Sequence, residues 1–288
     1  MSLQLKIDIL GIESGGKPVV FLNKVDADEI GVTASGRVIL KSKKGITAIV
    51  NVATKSVKKG HIGVTEEIRS LLGSVPNIID VEISAFPKSL QFIRAKLDGK
   101  KLLRSEIFEI VKGVVIGNLN ESEIASFVTA LHIHGIDLDE ATSLSLAMVE
   151  TGKQLKLGNK VIVDKHSIGG VPGDKTTLLV VPIVAAAGLV IPKTSSRAIT
   201  SAGGTADRAE VLMPVSMTYD EMKKVVRKCN GCLVWGGALD LAPADDIFVK
   251  TEYPLYIDPL LLPSIMSKKR QSAQPISLLT YLQGEVLR

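Results

Sequence analysis

The stretch DKHSIGGVPGDKTT, residues 164–177, decides how the second half of this chain folds. It follows the short apolar run Lys160–Asp164, which is typical of a buried strand, and an apolar segment with helical length begins at Thr176. Glycines such as Gly169 and Gly170 let backbone amides approach an anion, and the following helix directs the positive end of its dipole toward it. Strand, glycine-rich turn and helix together predict an α/β domain with an anion site at the end of the strand.

The side chains of this first loop support an anion site. Lys165 contributes a full positive charge, and Ser167 and Thr177 contribute hydroxyl donors. The loop is not a Walker A loop, because Asp174 separates the glycine from the lysine that such a loop requires. A turn with a purely structural role is the alternative interpretation.

A second loop with similar chemistry, SSRAITSAGGTAD at residues 195–207, follows the next apolar strand, Val190–Thr194. Two such loops at neighbouring strand ends are able to bind two anions, or one phosphate and a sugar. A solvated loop rich in serine and threonine is the alternative. A helix at Tyr219–Cys229 and a strand at Cys232–Trp235 continue the α/β pattern.

The residues before the first loop have two other periodicities. Residues 1–84 alternate polar and apolar side chains in short runs, which predicts a small β-rich domain with strands at Leu3–Ile9, Val19–Leu22, Val38–Leu40 and Ile46–Val52, and one helix at Thr65–Leu72 capped by Thr65. Residues 85–158 have the helical period, with helices at Ser105–Val115, Asn120–Ile133 and Asp137–Thr151. We therefore expect a multidomain α/β protein in which a small β-rich N-terminal domain, 1–84, and an α-helical domain, 85–158, precede part of a doubly wound α/β domain, 159–288.

Composition excludes several classes of partner. The net charge is +5, but the lysines are scattered, which indicates a solvated surface or a mild attraction for anions and not DNA binding. Aromatic residues make up 4% of the chain, too few for a single-stranded nucleic acid platform. Cys229 and Cys232 cannot form a four-ligand zinc site alone, so ordinary thiols or a redox pair are expected and a bound metal is not. Without a signal pattern or an apolar run of membrane-spanning length, we expect a cytoplasmic protein that contacts no membrane.

Four sequence motifs along the chain form a pattern that is more specific than either loop alone. They are KHSIGGVPGDKT (165–176), SSRAITSAGGTADRAE (195–210), LDLAPADD (239–246) and SIMSKK (264–269). Their order and spacing resemble the thymidine/pyrimidine nucleoside phosphorylase superfamily, and the resemblance runs from about Phe92 to Arg270. It implies an α-helical domain and a larger α/β domain with an active site in the cleft between them.

The resemblance assigns roles by position. It implies phosphate binding by Lys165, Ser167, Thr177, Ser195 and Thr205. It places the catalytic His166 beside the scissile bond, and within one branch of the superfamily it implies Asp258 as the catalytic proton donor. It implies nucleotide binding by Gly169, Gly170, Ser196, Arg197, Ala198, Ile199, Thr200, Ser201, Ser264 and Lys268, of which Ser264 and Lys268 contact the base. A proton donor to the departing base needs a raised pKa, so we expect Asp258 in a partly buried position.

Three departures narrow the resemblance to one branch. The chain has an insertion at Pro172, a serine, Ser201, where pyrimidine enzymes carry a histidine, and no arginine near Glu252. With the β-rich N-terminal domain, these features resemble the archaeal AMP phosphorylase branch. That branch implies phosphorolysis of nucleoside 5′-monophosphates, with AMP first and CMP and UMP as further candidates, to free base and ribose 1,5-bisphosphate. It implies no cofactor other than phosphate as co-substrate, and a homo-oligomer as the assembly.

The sequence leaves two alternatives to a nucleotide phosphorylase. One is a thymidine or pyrimidine nucleoside phosphorylase, against which Ser201 and the missing arginine count. The other is an inactive, truncated fragment that acts in assembly through residues 1–84, because the resemblance ends near Arg270 and implies further family sequence. The tail Gln271–Arg288 matches no part of the pattern.

Overall fold

A computed structural model describes residues 2–42, 45–153, 162–167, 176–195, 197, 204–239, 242–260, 263–264, 267 and 276–280, and of residues 166, 167, 238 and 276–280 it describes the backbone alone. The chain divides into two compact units. The first comprises residues 1–94 and 113–124, and the second comprises residues 95–112 and 125–288.

The first unit contains a closed six-stranded β-barrel. Its strands are β1 (Ser2–Ile9), β2 (Val19–Asn23), β3 (Arg37–Lys41), β4 (Ile46–Ala53), β5 (His61–Val64) and β6 (Ile78–Ile83). Their order around the barrel is β1-β5-β2-β4-β3-β6, with parallel pairing in β1–β5 and β2–β4 and antiparallel pairing elsewhere. Closure leaves no unpaired edge, because each strand has two neighbours.

The barrel confirms four predicted strands and adds elements that the sequence pattern did not indicate. These are β5, β6 and the helix α1 (Lys24–Ile30), which begins directly after β2, where the Asn23 side chain accepts from the amide of Val25 at 2.9 Å. The predicted helix is present as α2 (Glu66–Leu72). Thr65 stands at its N-cap position, but its buried hydroxyl donates to the carbonyl of Val19 at 3.2 Å, so its expected capping bond is not formed.

Four helices follow the barrel in the chain: α3 (Ser89–Leu97), α4 (Arg104–Val115), α5 (Glu121–His134) and α6 (Leu138–Thr151). The last three confirm the predicted helices, and α3 was not predicted. Within the second unit a buried ion pair joins α3 to α6. The ammonium of Lys96 lies 2.8 and 2.9 Å from the two carboxylate oxygens of Glu140, and both side chains are almost inaccessible to solvent. Glu140 also accepts from the amide of Leu102 at 3.0 Å and closes a capping box with Asp137.

The α/β part of the second unit has parallel strands and intervening helices. Its elements are β7 (Val163–Ser167), α7 (Thr176–Ala186), β8 (Ile191–Ser195), α8 (Thr205–Glu210), α9 (Tyr219–Cys229), β9 (Gly231–Trp235), α10 (Pro243–Glu252) and β10 (Ile276–Thr280). β10 pairs with β7, and β8 pairs with β9, all in parallel. A parallel bridge between Ile162 and Val190 joins the two pairs. This arrangement confirms the expected α/β fold class.

Apolar side chains cover both faces of these strands. Met222 and Val226 of α9 pack with Cys232 and Val234 of β9, and Val181 of α7 packs with Ile191 of β8. α10 packs against α6, and its buried Phe248 lies with its ring centroid 6.1 Å from that of Phe127 on α5. Aromatic pairs at this separation stabilise a contact beyond their area alone.

The structure corrects two details of the sequence interpretation. β7 continues through Ser167, so Lys165, His166 and Ser167 lie on the strand, whereas the pattern placed them in the loop after Asp164. Polar residues are able to extend a parallel strand because its backbone bonds are independent of side-chain type. In the tail Gln271–Arg288, which matches no part of the family pattern, Ile276–Thr280 forms a strand whose first residue pairs with Val163.

Cys229 and Cys232 are free thiols, one exposed and one buried, and burial raises the pKa of Cys232 to about 12. Across the part of the chain that the structure describes, no helix is both long and apolar enough to cross a membrane.

The buried pair Lys96–Glu140 yields a prediction about stability. Lys96→Met should destabilise the chain by about 3–5 kcal/mol, because it leaves the Glu140 carboxylate buried without its counter-charge. Replacing both partners, as Lys96→Met with Glu140→Leu, should cost less than the sum of the single changes. Urea unfolding followed by circular dichroism measures both.

The matched control is Lys101→Ala. Lys101 is half exposed and pairs with Asp137 and Asp139, so its loss should change the free energy of unfolding by no more than about 1 kcal/mol. An equal cost for Lys96→Met and Lys101→Ala would contradict the role assigned to the buried pair.

Candidate active site

A buried lysine and a buried threonine meet near the carboxyl end of β7. The ammonium of Lys165 donates to the hydroxyl of Thr177 over 2.9 Å, and the side chains are 1% and 0% exposed. Lys165 lies on β7, and Thr177 lies in the first turn of α7. An ammonium held in this way is a strong donor for an anion, because burial reduces the screening of its charge.

The second strand end contributes hydroxyl groups beside the first. Ser195 is the last residue of β8 and is in register with Trp235, the last residue of β9. Thr205 is the first residue of α8 and is buried. Because parallel strands direct their carboxyl ends to the same edge of a sheet, the last residues of β7, β8 and β9 face that edge together.

Arg197 follows Ser195 and is held by two acidic side chains of α8. Its guanidinium lies 2.6 and 2.8 Å from the carboxylate oxygens of Glu210 and 3.1 Å from Asp207. It also lies 4.9 Å from the ring centroid of Trp235, within cation–π range. The hydrogen bonds from Arg197 lower the pKa of Glu210.

Asp258 lies in the segment after α10. A 3₁₀ turn at Tyr253–Leu255 is followed by Tyr256 in the left-handed region, with φ of 53°. Asp258 itself is exposed, and the amide of Ser264 donates to the carbonyl of Leu260 over 2.9 Å, as in the first turn of a helix. The surroundings of Asp258 in this chain are therefore more open than a proton donor in a closed site requires.

Two family models match the chain. Residues 90–152 match the helical bundle domain of a glycosyl transferase family, and residues 159–252 match the a/b domain of the same family. The chain belongs to this glycosyl transferase family. The matched helical and α/β segments coincide with α3–α6 and with the strands that carry Lys165 and Ser195.

Individual relatives of this chain are named AMP phosphorylase. That of Thermofilum pendens is 52% identical over 269 residues, 93% of this chain and 52% of the relative. That of Thermococcus sibiricus is 48% identical over 286 residues, 98% of this chain and 57% of the relative. The chain thus spans about half the length of the curated relatives it matches.

One solved structure supports the fold of this chain. Anthranilate phosphoribosyltransferase (TrpD) from Thermus thermophilus superposes with a TM-score of 0.56 at 18% identity, and the match covers 65% of this chain and 57% of that chain. At this level of identity the likeness concerns the α/β architecture with its helical domain and nothing further.

The structure shows the side-chain positions of some predicted site residues and not of others. It brings Lys165 and Thr177 into direct contact, and it places Ser195, Arg197 and Thr205 near the neighbouring strand end. For His166 and Ser167 it gives the backbone on β7 alone. The residues Gly169, Gly170, Ser196, Ala198, Ile199, Thr200, Ser201 and Lys268 lie outside the described residues.

Sequence reasoning did not identify three residues that the structure places at these groups. Glu210 and Trp235 hold Arg197, and the buried Glu252 experiences the negative charge of Asp258. Trp235 is the single tryptophan and ends a strand, which is a signal that a search of strand ends would have found. No group of three or more His, Cys, Asp or Glu side chains in the described ranges is arranged to hold a metal ion.

The contact between Lys165 and Thr177 predicts how phosphate binds. Lys165→Ala should weaken phosphate binding about 10- to 150-fold, because a hydrogen bond to a charged group is worth roughly 1.5–3 kcal/mol. Thr177→Val should weaken it by a smaller factor, since the hydroxyl is neutral. Titration calorimetry with inorganic phosphate measures both.

Lys165→Met keeps most of the buried volume, so it separates the loss of charge from the loss of packing. Lys224→Ala, which removes an exposed lysine from α9, is the control and should bind phosphate normally. Unchanged phosphate affinity in the Lys165 variants would contradict the assignment.

Proposed function

We propose that this chain binds phosphate and a nucleoside 5′-monophosphate and takes part in their phosphorolysis, with AMP as the main substrate and CMP and UMP as further substrates. An oxygen of inorganic phosphate bonds to C1′ of the ribose while the bond from C1′ to the base nitrogen breaks. The base nitrogen keeps the bonding electrons and takes up a proton, and the products are free base and ribose 1,5-bisphosphate. The relatives named AMP phosphorylase support this proposal.

The contact between Lys165 and Thr177 is the observation that carries the proposal. Phosphate is an anion that must lose water before it attacks carbon, and fixed donors replace that water at little reorganisation cost. Lys165 supplies a buried charge, and Thr177 supplies a hydroxyl at the start of a helix whose dipole also favours anions. Ser167, Ser195 and Thr205 are proposed to complete the phosphate site.

The substrate 5′-phosphate is proposed to bind at the loop of residues 195–205, through Ser196, Arg197 and the residues up to Ser201. Arg197 is engaged by Asp207 and Glu210, so a phosphate must share or displace these carboxylates. Such exchange is feasible because the pair is partly exposed and a dianionic phosphate accepts a bidentate guanidinium as a carboxylate does.

Asp258 is proposed as the donor of the proton to the departing base, with His166 beside the scissile bond and with Ser264 and Lys268 at the base. A base leaves poorly as an anion, and general acid catalysis contributes about 10²–10⁴-fold. Asp258 is exposed in this chain, so the role requires that a bound nucleotide cover it, because loss of water raises the pKa of a carboxyl group.

The proposal requires no cofactor, since inorganic phosphate is itself the second substrate. We place the reaction in the cytoplasm, where nucleoside monophosphates and phosphate are available, and we propose a homo-oligomer as the working assembly. The proposed domains are those of the sequence interpretation, residues 1–84, 85–158 and 159–288.

A comparison of substrates tests the nucleotide assignment. AMP should react with a kcat/KM at least about 100-fold above that of adenosine or thymidine, because two or more charged hydrogen bonds to the 5′-phosphate are lost with the nucleosides. Release of free base from AMP, CMP, UMP, adenosine and thymidine, measured by chromatography, gives the ratios. Equal rates with AMP and thymidine would favour a nucleoside phosphorylase, and no release from any substrate would favour a non-catalytic chain.

The same assay tests the role of Arg197. Arg197→Ala should lower kcat/KM for AMP and leave that for adenosine unchanged, so that the preference for AMP shrinks. Arg227→Ala, an exposed arginine on α9, is the matched control and should preserve the preference.

A second prediction concerns Asp258. If it donates the proton, Asp258→Asn should lower kcat on the order of 10²-fold or more, with a modest change in the affinity for AMP. If instead it caps the helical turn that begins near Leu260, the variant should lose about 1 kcal/mol of stability and keep its turnover. Kinetics and thermal melting of the same variant distinguish the two, and the second outcome would transfer the proposed role to His166.

A further inference from the structure

Glu252 is a buried carboxyl group at the end of α10. It is the last residue of that helix, and its side chain is 1% exposed. Its Oε1 atom has no hydrogen-bond partner among the residues that the structure describes. Most buried polar atoms are satisfied, so an unsatisfied carboxyl oxygen at this depth calls for a reason other than stability.

One hydrogen bond and one charge effect connect Glu252 to the segment that carries Asp258. The backbone N–H of Leu260 donates to the Glu252 carboxyl group, which links the end of α10 to the residue two positions after Asp258. The carboxylate of Asp258 lies close enough to exert the largest charge effect on Glu252. The segment 253–260 therefore starts directly after Glu252 in the chain, and its last residue, Leu260, is hydrogen-bonded to the Glu252 side chain.

The charge state of Glu252 follows from its surroundings. Burial, then the negative charge of Asp258, and then that of Asp245 raise the pKa of Glu252 to about 8, against the lowering effect of the Leu260 amide. The position at the negative end of the helix dipole acts in the same direction. Glu252 is therefore a neutral acid at pH 7.

The helices packed against α10 do not supply a counter-charge in the described contacts. α6 packs against α10, and its acidic side chains are paired elsewhere: Asp139 with Lys101, Glu140 with Lys96, and Glu150 with Arg104. α5 contacts α10 through the rings of Phe127 and Phe248, which carry no charge. Among the described residues, Asp258 and then Asp245 are the charged groups that act on Glu252.

We propose that Glu252 is a positioning residue for Asp258, a buried carboxyl group that holds the segment 253–260 at the end of α10 so that Asp258 faces the nucleotide. The proposal rests on the proposed role of Asp258 as proton donor. Glu252 does not contact the substrate, since its side chain is enclosed by protein. Its effect reaches the reaction through the place and the environment of Asp258.

The neutral state of Glu252 is part of this role. Two carboxyl groups that interact must affect each other equally, so a charge on Glu252 would disturb the proton equilibrium of Asp258 as Asp258 disturbs that of Glu252. Below about pH 7 this disturbance is absent because Glu252 carries its proton. Above about pH 8 Glu252 ionises, and a buried charge then opposes the packing of the segment.

The pH dependence of stability follows with a definite sign. The pKa of Glu252 in the folded chain, about 8, lies above its ordinary value of 4.5, so the folded state holds this proton more tightly than the unfolded state. Its contribution to stability is complete below about pH 4.5 and declines as the pH rises from 4.5 toward 8.

The test compares Glu252→Leu, Glu252→Gln and the unchanged chain. Glu252→Leu should lower kcat for AMP about 10-fold or more, with KM changed less than about 3-fold, because Asp258 is displaced while the phosphate sites remain. Glu252→Gln keeps the shape and the acceptor for Leu260, so at about pH 7 it should restore kcat to within about 3-fold. Above about pH 8 the unchanged chain should lose activity and Glu252→Gln should not, since glutamine cannot ionise.

Melting temperatures give the second readout. From about pH 5 to about pH 8 the unchanged chain should lose stability relative to Glu252→Gln. The control Asp220→Asn, an exposed carboxyl on α9, should follow the unchanged chain throughout. Identical pH profiles of kcat and of melting temperature in Glu252→Gln and the unchanged chain would overturn the proposal, as would a Glu252→Leu variant that melts earlier yet turns over normally.

A measurement without turnover separates this inference from the proposed function. The ¹³C signal of the Asp258 carboxyl group is assigned by its loss in Asp258→Asn. In Glu252→Leu this signal should shift and titrate differently from that of the unchanged chain. In Glu252→Gln it should match that of the unchanged chain below about pH 7. If no substrate reacts, the proposed function fails, and a normal Asp258 titration in Glu252→Leu would separately reject the positioning role. If Glu252→Leu does not fold, the pH profile of the Asp258 signal in Glu252→Gln decides the question.

Discussion

Parallel strand pairing is the constraint on which the chemistry of this chain depends. In a parallel sheet every strand leaves at the same edge, so residues far apart in sequence are collected along one line. The register of Ser195 with Trp235 and the bridge from Ile162 to Val190 fix that line for β7, β8 and β9. The helix after β7 then needs only its first turn to bring Thr177 to Lys165.

Ionisable groups in the interior of this chain are stabilised in three different ways. Lys96 and Glu140 neutralise each other, which fixes two helices. Glu252 keeps its proton because burial and neighbouring carboxylates raise its pKa. Lys165 stays in a buried position with a hydroxyl as one of its partners, and an ammonium has three donors to distribute. Of these three arrangements, the last is suited to an anionic ligand, because a buried ammonium is a strong hydrogen-bond donor to a negatively charged group.

Helix α10 connects the apolar interior of the second unit to the proposed acid. Phe248 fixes the middle of the helix against Phe127, and the helix ends at Glu252. Asp258 follows six residues later on a segment that returns to Glu252 through Leu260. An exposed loop by itself positions a side chain poorly, whereas a segment attached at both ends to a packed helix loses much of that freedom.

The sequence by itself determined the periodic elements and the residue types of the site. The helix Tyr219–Cys229 and the strand near Cys232–Trp235 were predictable because their apolar residues recur at one spacing. The hydrogen-bond donors of the two loops were predictable because they occur in glycine-rich segments. The tertiary structure decided the rest. The closed barrel order, the strands β5 and β6 and the pairing of β10 with β7 depend on partners distant in the chain, which local patterns do not encode. The roles of Glu210 and Glu252 were likewise decided there, because a carboxyl group acquires its charge state and its partners from the groups that surround it after folding.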